Sequence, residues 1–382
     1  MTGSLQVKND KYYIIINATE NGKRKQKWIA TGLPVKGNKR KAEQLLRDTL
    51  REYELTPKKA ESDMLFAEYI RQWLKIARRR VDDVTYQGYE QTANAQVIPY
   101  FEGSGIKLCD VTVEVLQAYF DEKSAHGRLR GKGGVSPTTL RQFKNIIHQS
   151  LNEAVKNRLI PSNPCQFVEL PRKQRYESAF YSVEQLKALF LAIDGDELYP
   201  LVKITALYGL RRSEALGLKW DSVDFAANRL TIKHTVERIK GRTLEKDRTK
   251  NKSSHRSFPL MPEARAIFED AKKAERKNRR LCGRDYIEND YVFKWADGRP
   301  FTPDYVSSHF ALLLKKNGLP HIRFHELRHS CASLLLNNGC TLKDVQDYMG
   351  HSDIQMTANI YGHLDVARKQ ALTDNIAASL FG

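Results

Sequence analysis

The stretch LIPSNPCQFVELPRKQRYE, residues 159–177, holds three prolines and then a basic run. Proline lacks a backbone N–H and locks φ, so neither a helix nor a central strand runs through such a stretch. It reads as an interdomain linker, and 382 residues are in any case long for one domain. A second polar linker, TPKKAESD, covers residues 56–63. The chain is therefore expected to fall into three parts, residues 1–57, 62–168 and 176–382.

Each part has its own periodicity. In the first, Lys11 to Asn17 and Lys27 to Thr31 are apolar runs around Asn21-Gly22, a strong hairpin turn signal, and residues 4–8 offer a third strand. The segment NKRKAEQLLRDTLREYEL follows, with Ala42, Leu45, Leu46, Thr49, Leu50 and Tyr53 at helical spacing. The second part reads as all helix. Phe66, Tyr69, Ile70, Trp73 and Leu74 open it, residues 84–101 make a second helix with Thr85 as cap, and Ser136-Pro137 starts a fourth. In the third, Ser182 and Gln185 form a capping box, RLTIKHTV and HRSFPL read as strands, and the remainder is mostly helical. The expected fold class is multidomain α+β: a small N-terminal β-sheet plus helix, an all-α domain, and a mainly α domain with a small β-sheet.

The formal net charge is +18, which favours a polyanionic partner. Residues 1–60 alone carry 14 Lys or Arg against 6 Asp or Glu. The turn of the first hairpin projects Lys23, Arg24, Lys25 and Lys27, suited to a DNA groove. A second basic element, GRLRGKGG, presents Arg128, Arg130 and Lys132, but lacks the spacing of a phosphate loop, so no ATP site is expected. The five cysteines show no C-x-x-C pair and read as reduced thiols, with Cys331 and Cys340 buried. No apolar run approaches a membrane span, and residues 1–10 have no signal-peptide core, so a cytoplasmic protein is expected.

HELRH, His325 to His329, carries two chemistries. As H-E-x-x-H it would bind zinc through His325 and His329 with Glu326 as base. A third ligand is then required, yet the metzincin positions hold Ala332 and Leu335, and no Glu follows Glu326. As H-x-L-R-H it would turn His325 and Arg328 toward a phosphate. GLRRSE (209–214) and GHSDIQMTANIYGH (350–363) favour the second. Taken in order, G-L-R-x-S-E, H-x-L-R-H, G-H-S and I-Y-G-H resemble the tyrosine recombinases, the phage and transposon integrases. Residues 65–165 are similar to that family's core-binding domain, and the N-terminal sheet to the arm-binding domain of integrases from conjugative transposons and temperate phages.

The resemblance implies a site-specific integrase that cuts one strand at a time and stores the bond as a 3′-phosphotyrosine. Arg211 and Arg328 would hold the non-bridging oxygens, because guanidiniums stay ionised and bind phosphate bidentately. His325 and His351 would hydrogen-bond the phosphate or assist proton transfer. Tyr361 would be the nucleophile, with Tyr348 its nearest rival but better suited to a core. Glu214 would support an arginine, and Arg212 would serve structure or the DNA backbone. The family's acid is a hairpin lysine; Lys250 and Lys252 are the candidates, with Lys250 favoured because Thr-Lys precedes the turn. Neither metal nor cofactor is required, since the phosphoester energy is retained. Double-stranded DNA with core and arm sites is the implied partner, bound by a homotetramer, with room for an accessory directionality factor. The tail, with Leu372, Ile376 and Leu380 on one stripe, would dock in cis or, as favoured, on a neighbouring protomer. A DNA-binding protein without catalysis is the alternative, and a zinc metalloprotease the third.

Overall fold

A computed structural model of the chain describes residues 2–20, 23–55, 63–172, 179–239, 242–246, 256–350, 373–374 and 379–380. It divides into two compact units, Met1–Gln174 and Arg175–Gly382, with the division inside the basic run after the third proline.

The first unit opens with three antiparallel strands in the order β1-β2-β3, β1 (Thr2–Lys8), β2 (Lys11–Glu20) and β3 (Lys23–Pro34). Glu20 pairs with Lys23, which leaves two residues, 21–22, for the turn that Asn21-Gly22 predicts; both lie outside the described residues. Ile14 and Ile16 on one face of the middle strand, and Ile15 on the other, are all buried. Helix α1 (Lys39–Leu55) lies on β1, where a Cβ on Gly3 would come within 2.8 Å of Leu50 and 3.1 Å of Leu46. The absent side chain is what lets the helix approach. Ala42 is buried, but Leu45, expected on the apolar face, is exposed. The sheet is met by the i, i+4, i+8 line of Ala42, Leu46 and Leu50, and Leu45 stands one residue, about 100°, off that line.

Five helices follow: α2 (Phe66–Ala77), α3 (Asp83–Thr92), α4 (Ile98–Ser104), α5 (Val113–His126) and α6 (Pro137–Lys156). Their core gathers Phe66, Ile70, Phe101, Leu116, Ile147 and Leu151. The single helix expected over 84–101 is instead α3 and α4 joined by a π-helical turn, Ala93–Val97. Pro99 explains the interruption: it has no N–H to donate and its ring crowds the carbonyl one turn back, so the ladder widens before it. The cap of α3 is Asp82 rather than Thr85; its carboxylate accepts from the Thr85 amide at 3.1 Å. Ser136 caps α6 as expected, accepting from the Thr139 amide at 3.2 Å.

The second unit holds α7 (Val183–Ala192), α8 (Tyr199–Tyr208), α9 (Arg212–Leu216), α10 (Pro262–Cys282), α11 (Pro303–Lys316), α12 (Glu326–Asn337) and α13 (Leu342–Met349). Both bonds of the Ser182–Gln185 capping box are present at the start of α7. One sheet has the order β4 (Val223–Asp224), β5 (Arg229–Ile232), β8 (Arg256–Pro259), and β6 (Thr235–Ile239) with β7 (Arg242–Lys246) forms a separate hairpin. RLTIKHTV is thus two strands, not one. The chain breaks at Lys233–His234, where Lys233 donates to the Asp221 carbonyl at 2.8 Å and His234 pairs with the Asp221 carboxylate at 3.4 Å. Cys331 is buried, whereas Cys340, expected to be buried too, is only partly so. No described helix is long and apolar enough to cross a membrane.

Candidate active site

Helix α8 ends at Gly209, whose φ of +58° is the left-handed conformation that closes a helix. Arg211 follows in extended backbone and starts α9. Its guanidinium is thereby held between two helices, aimed by a backbone break. The Glu214 carboxylate, 1% exposed, accepts from the Arg211 amide at 2.9 Å and from Arg211 Nη1 at 2.6 Å. Glu214 therefore supports Arg211, as the sequence suggests. Arg212 turns away to the start of α11, donating to the Pro303 carbonyl and to Ser307 Oγ.

Helix α12 packs on α8 and brings Arg328 beneath the same break. Arg328 donates to the Gly209 carbonyl at 2.7 Å and to the Met349 carbonyl at 2.6 Å. Arg211 Nη2 donates to the next carbonyl, Gly350, at 2.8 Å. The C-terminus of α13, the negative end of a helix dipole, thus rests on both arginines. They differ in depth: the Arg211 side chain is 29% exposed and that of Arg328 1%.

A third arginine joins them. Arg256, at the first position of β8, grips Glu214 with both ends of its fork, Nη1 to Oε1 at 3.1 Å and Nη2 to Oε2 at 2.9 Å. Burial alone would raise the Glu214 pKa, but the Arg256 hydrogen bonds and the charges of Arg256, Arg211 and Arg328 hold it down to about 2. The stability this carboxylate contributes is present above its ordinary pKa and is lost as pH falls toward 2. Three guanidiniums share one carboxylate, so the cluster has a net positive charge that an anion would neutralise. Burial, then the Arg211 charge, pushes Arg328 down to about 9.

His325 precedes α12 with its ring 5.3 Å from that of His329, edge to face. One side of it is open to solvent, yet partial burial, and then His329, Arg328 and Arg211, push its pKa down to about 4, so it is neutral at physiological pH. Glu326, the base a zinc protease would need, is buried and accepts from the Arg323 amide at 2.5 Å and its guanidinium at 2.9 Å. Tyr348 is part of the core, its hydroxyl donating to the Leu207 carbonyl at 3.3 Å and its ring 4.8 Å from Phe258. Residues 181–368 match the Phage integrase family, and residues 65–124 match the phage integrase N-terminal SAM-like domain.

The chain belongs to the phage integrase family. Membership makes it a tyrosine-type, site-specific DNA recombinase, and neither the zinc-protease reading nor loss of catalysis is favoured. A tyrosine recombinase XerC-like protein of Caldanaerobacter subterraneus subsp. tengcongensis is 26% identical over 324 residues, 79% of this chain and 80% of that protein. The fold is similar to that of the Tn1549 transposon integrase in complex with transposon right end DNA, with a TM-score of 0.67 at 22% identity, covering 82% of this chain and all of that one. It is also similar to a lambda integrase tetramer bound to a Holliday junction, with a TM-score of 0.58 at 14% identity, covering 93% and 94% of the two chains.

Arg211 and Arg328 come together around Glu214 in this integrase, and the charges of both arginines bear on His325. Lys250, Lys252, His351, Tyr361, Leu372 and Ile376 lie outside the described residues, and Leu380, the third residue of the tail stripe, is exposed. Lys23, Arg24 and Lys25 fall on β3, opposite Glu20, Thr19 and Ala18, and Lys27 is exposed opposite Ile16. Arg128, Arg130 and Lys132 are exposed in their loop, with Arg128 Nε donating to the Gly134 carbonyl at 3.0 Å. Arg256 was missed at the level of sequence. Its signal was strand alternation, which sets it on the inward face of β8 with buried Phe258.

Gly209 gives a direct test of this geometry. A Cβ there would lie 2.5 Å from Met349 Sδ and 3.2 Å from Cys331 Sγ, in left-handed backbone. The conformation alone costs about 1–2 kcal/mol for Ala. Gly209→Ala is expected to lower Tm by roughly 5 °C or more and to slow DNA cleavage, because the carbonyl that holds Arg328 shifts with it. A melting curve indistinguishable from wild type would show that the break tolerates a side chain.

Proposed function

We propose that the arginine cluster is the phosphate site of strand cleavage, with Arg211, Arg328 and His325 joined by His351, Lys250 and Tyr361. What carries the reading is the excess of positive charge around Glu214, with the carbonyls of Met349 and Gly350 as its acceptors. His351 is the next residue in the sequence after Gly350. Tyr361 follows ten residues later.

In this mechanism the Tyr361 hydroxyl passes its proton to His351 as its oxygen attacks the scissile phosphorus in line, the bond from phosphorus to the 5′-oxygen breaks, and Lys250 protonates that oxygen. The product is a 3′-phosphotyrosine and a 5′-hydroxyl. A 5′-hydroxyl from the partner duplex reverses the steps and reseals the strand. Charge grows on the non-bridging oxygens, where fixed guanidiniums stabilise it in the manner of an oxyanion hole. His325, neutral at pH 7, donates one N–H without adding charge. A nicked suicide substrate tests the reading, because loss of the short strand traps the intermediate. Wild-type protein should form a covalent protein–DNA adduct; DNA binding without any adduct would establish the non-catalytic alternative.

The wider assignment is part of the same proposal. Residues 1–57 form an arm-type DNA-binding domain, 62–168 a core-binding domain around the loop of Arg128, Arg130 and Lys132, and 176–382 the catalytic domain with its tail. The protein acts in a bacterial cytoplasm on double-stranded DNA at core and arm sites, as a tetramer, on behalf of a mobile element. Likeness in fold supports this: the similar solved structures include a transposon integrase on its DNA end and a lambda integrase tetramer on a Holliday junction. Replacing Lys23, Arg24 and Lys25 by Ala should flatten the salt dependence of arm-site binding by up to about 0.9 in log–log slope per lost phosphate contact. An unchanged slope would remove the hairpin from the DNA interface.

A further inference from the structure

We propose that Arg256 is a positioning residue of strand cleavage, acting through Glu214 on Arg211. The proposal rests on the phosphate-site reading above and adds to it a residue outside the motifs. Arg256 enters from a β-strand, whereas Arg211 and Arg328 enter from helices. Its place is fixed by the ladder with β5, where it pairs with Ile232, and by its guanidinium carbon, 5.4 Å from the Phe258 ring centre.

The two carboxylate oxygens of Glu214 are shared. Oε1 accepts from Arg211 Nη1 and Arg256 Nη1, and Oε2 accepts from the Arg211 amide and Arg256 Nη2. A bidentate fork fixes the plane of a carboxylate, and here the plane it fixes is the one Arg211 leans on. Arg256 also takes up carboxylate charge that would otherwise fall on Arg211. With Arg256 present, more of the Arg211 charge is left for an outside anion. Economy of hydrogen bonding does not explain the arrangement, because Arg256 Nε is buried with no partner among the described residues. Net stability is a weak explanation too, since buried ion pairs seldom outperform apolar residues of the same volume. The position also ties the chain six residues after Lys250 and four after Lys252 to the cluster.

The test is single-turnover cleavage of a nicked suicide substrate by the full chain, with DNA affinity measured alongside. Arg256→Gln is expected to slow cleavage about 10–100-fold with unchanged DNA affinity, the size of losing part of one charge-stabilising donor. Arg256→Lys, which keeps the charge but not the fork, should fall between the two and serves if the Gln variant does not fold. Two readouts separate positioning from mere packing. Combined with Glu214→Gln, the Arg256→Gln loss should be much less than additive. With a methylphosphonate at the scissile linkage, which removes a charged oxygen, the loss should shrink several-fold. Wild-type rates in both Arg256 variants, additive losses with Glu214→Gln, or an equal loss on the methylphosphonate would overturn the proposal. Wild-type adduct formation on the same substrate is the control: without it the recombinase reading fails, and with it only the role of Arg256 is at stake.

Discussion

Tyr361→Phe is expected to abolish covalent protein–DNA adducts while leaving site binding within about threefold of wild type, since phosphate contacts elsewhere dominate affinity. The change removes one hydroxyl and nothing else. The expectation gains weight from five other tyrosines of the second unit. Tyr181 donates to the Pro320 carbonyl, Tyr208 to Pro259, Tyr348 to Leu207, and Tyr291 and Tyr305 to Glu245 and Glu197. Each of these hydroxyls has a protein acceptor, and burial pushes the pKa of Tyr181, Tyr208, Tyr305 and Tyr348 up, away from phenolate. A nucleophile needs the opposite, cations close enough to favour the ionised form. The carbonyls of Met349 and Gly350, which precede Tyr361 in the sequence, meet Arg328 and Arg211. Denaturing gels of suicide-substrate reactions decide the matter. Adducts at wild-type levels in the Phe variant would assign the attack to another residue.

Local signals in the chain were legible and distant ones were not. GLRRSE and HELRH point to Arg211, Glu214 and Arg328 because a glycine break and a helix start are written in adjacent residues. The Ser182–Gln185 box and the Ser136 cap were legible for the same reason. Asp82 and Thr85 are both capping types three apart, so the sequence reads either way, and Asp82 takes the role because its carboxylate reaches the Thr85 amide. Arg256 needed a partner 42 residues away, which no local pattern names. The strand break at Lys233–His234 depends on Asp221, again a distant partner. Depth was likewise hidden. Periodicity places Arg328 on the inward side of α12, but only packing seals it while Arg211 stays partly open.

That depth leads to the other large effect, at Arg328. Two consequences of removing it oppose each other in stability. Loss of the guanidinium leaves the Gly209 and Met349 carbonyls without these donors, a cost of about 1–3 kcal/mol for each that stays buried and unpaired. It also relieves a positive charge that burial first, and then Arg211 and Arg256, disfavour, holding its pKa down to about 9. Glu214 keeps its hydrogen bonds to those two arginines, since its own contact with Arg328 is the longer one, at 3.9 Å. Methionine fills much of the same volume without charge. Arg328→Met is therefore expected to fold, with a Tm within roughly 5 °C of wild type. Catalysis has no such compensation. The charge that burdens the free protein is the one a scissile phosphate would neutralise, so cleavage should fall by at least about 10²–10³-fold. Binding of the uncleaved site should change little. Arg328→Lys should not restore the rate, because one ammonium cannot span both carbonyls and still face a phosphate. A stabilisation that shorter anions give the wild type, read as a rise in Tm with sulfate, should shrink in Arg328→Met by the lost differential affinity. Wild-type cleavage in Arg328→Met would make the residue a strut between α8 and α13, and collapse of its fold would show that the carbonyls outweigh the relief of charge.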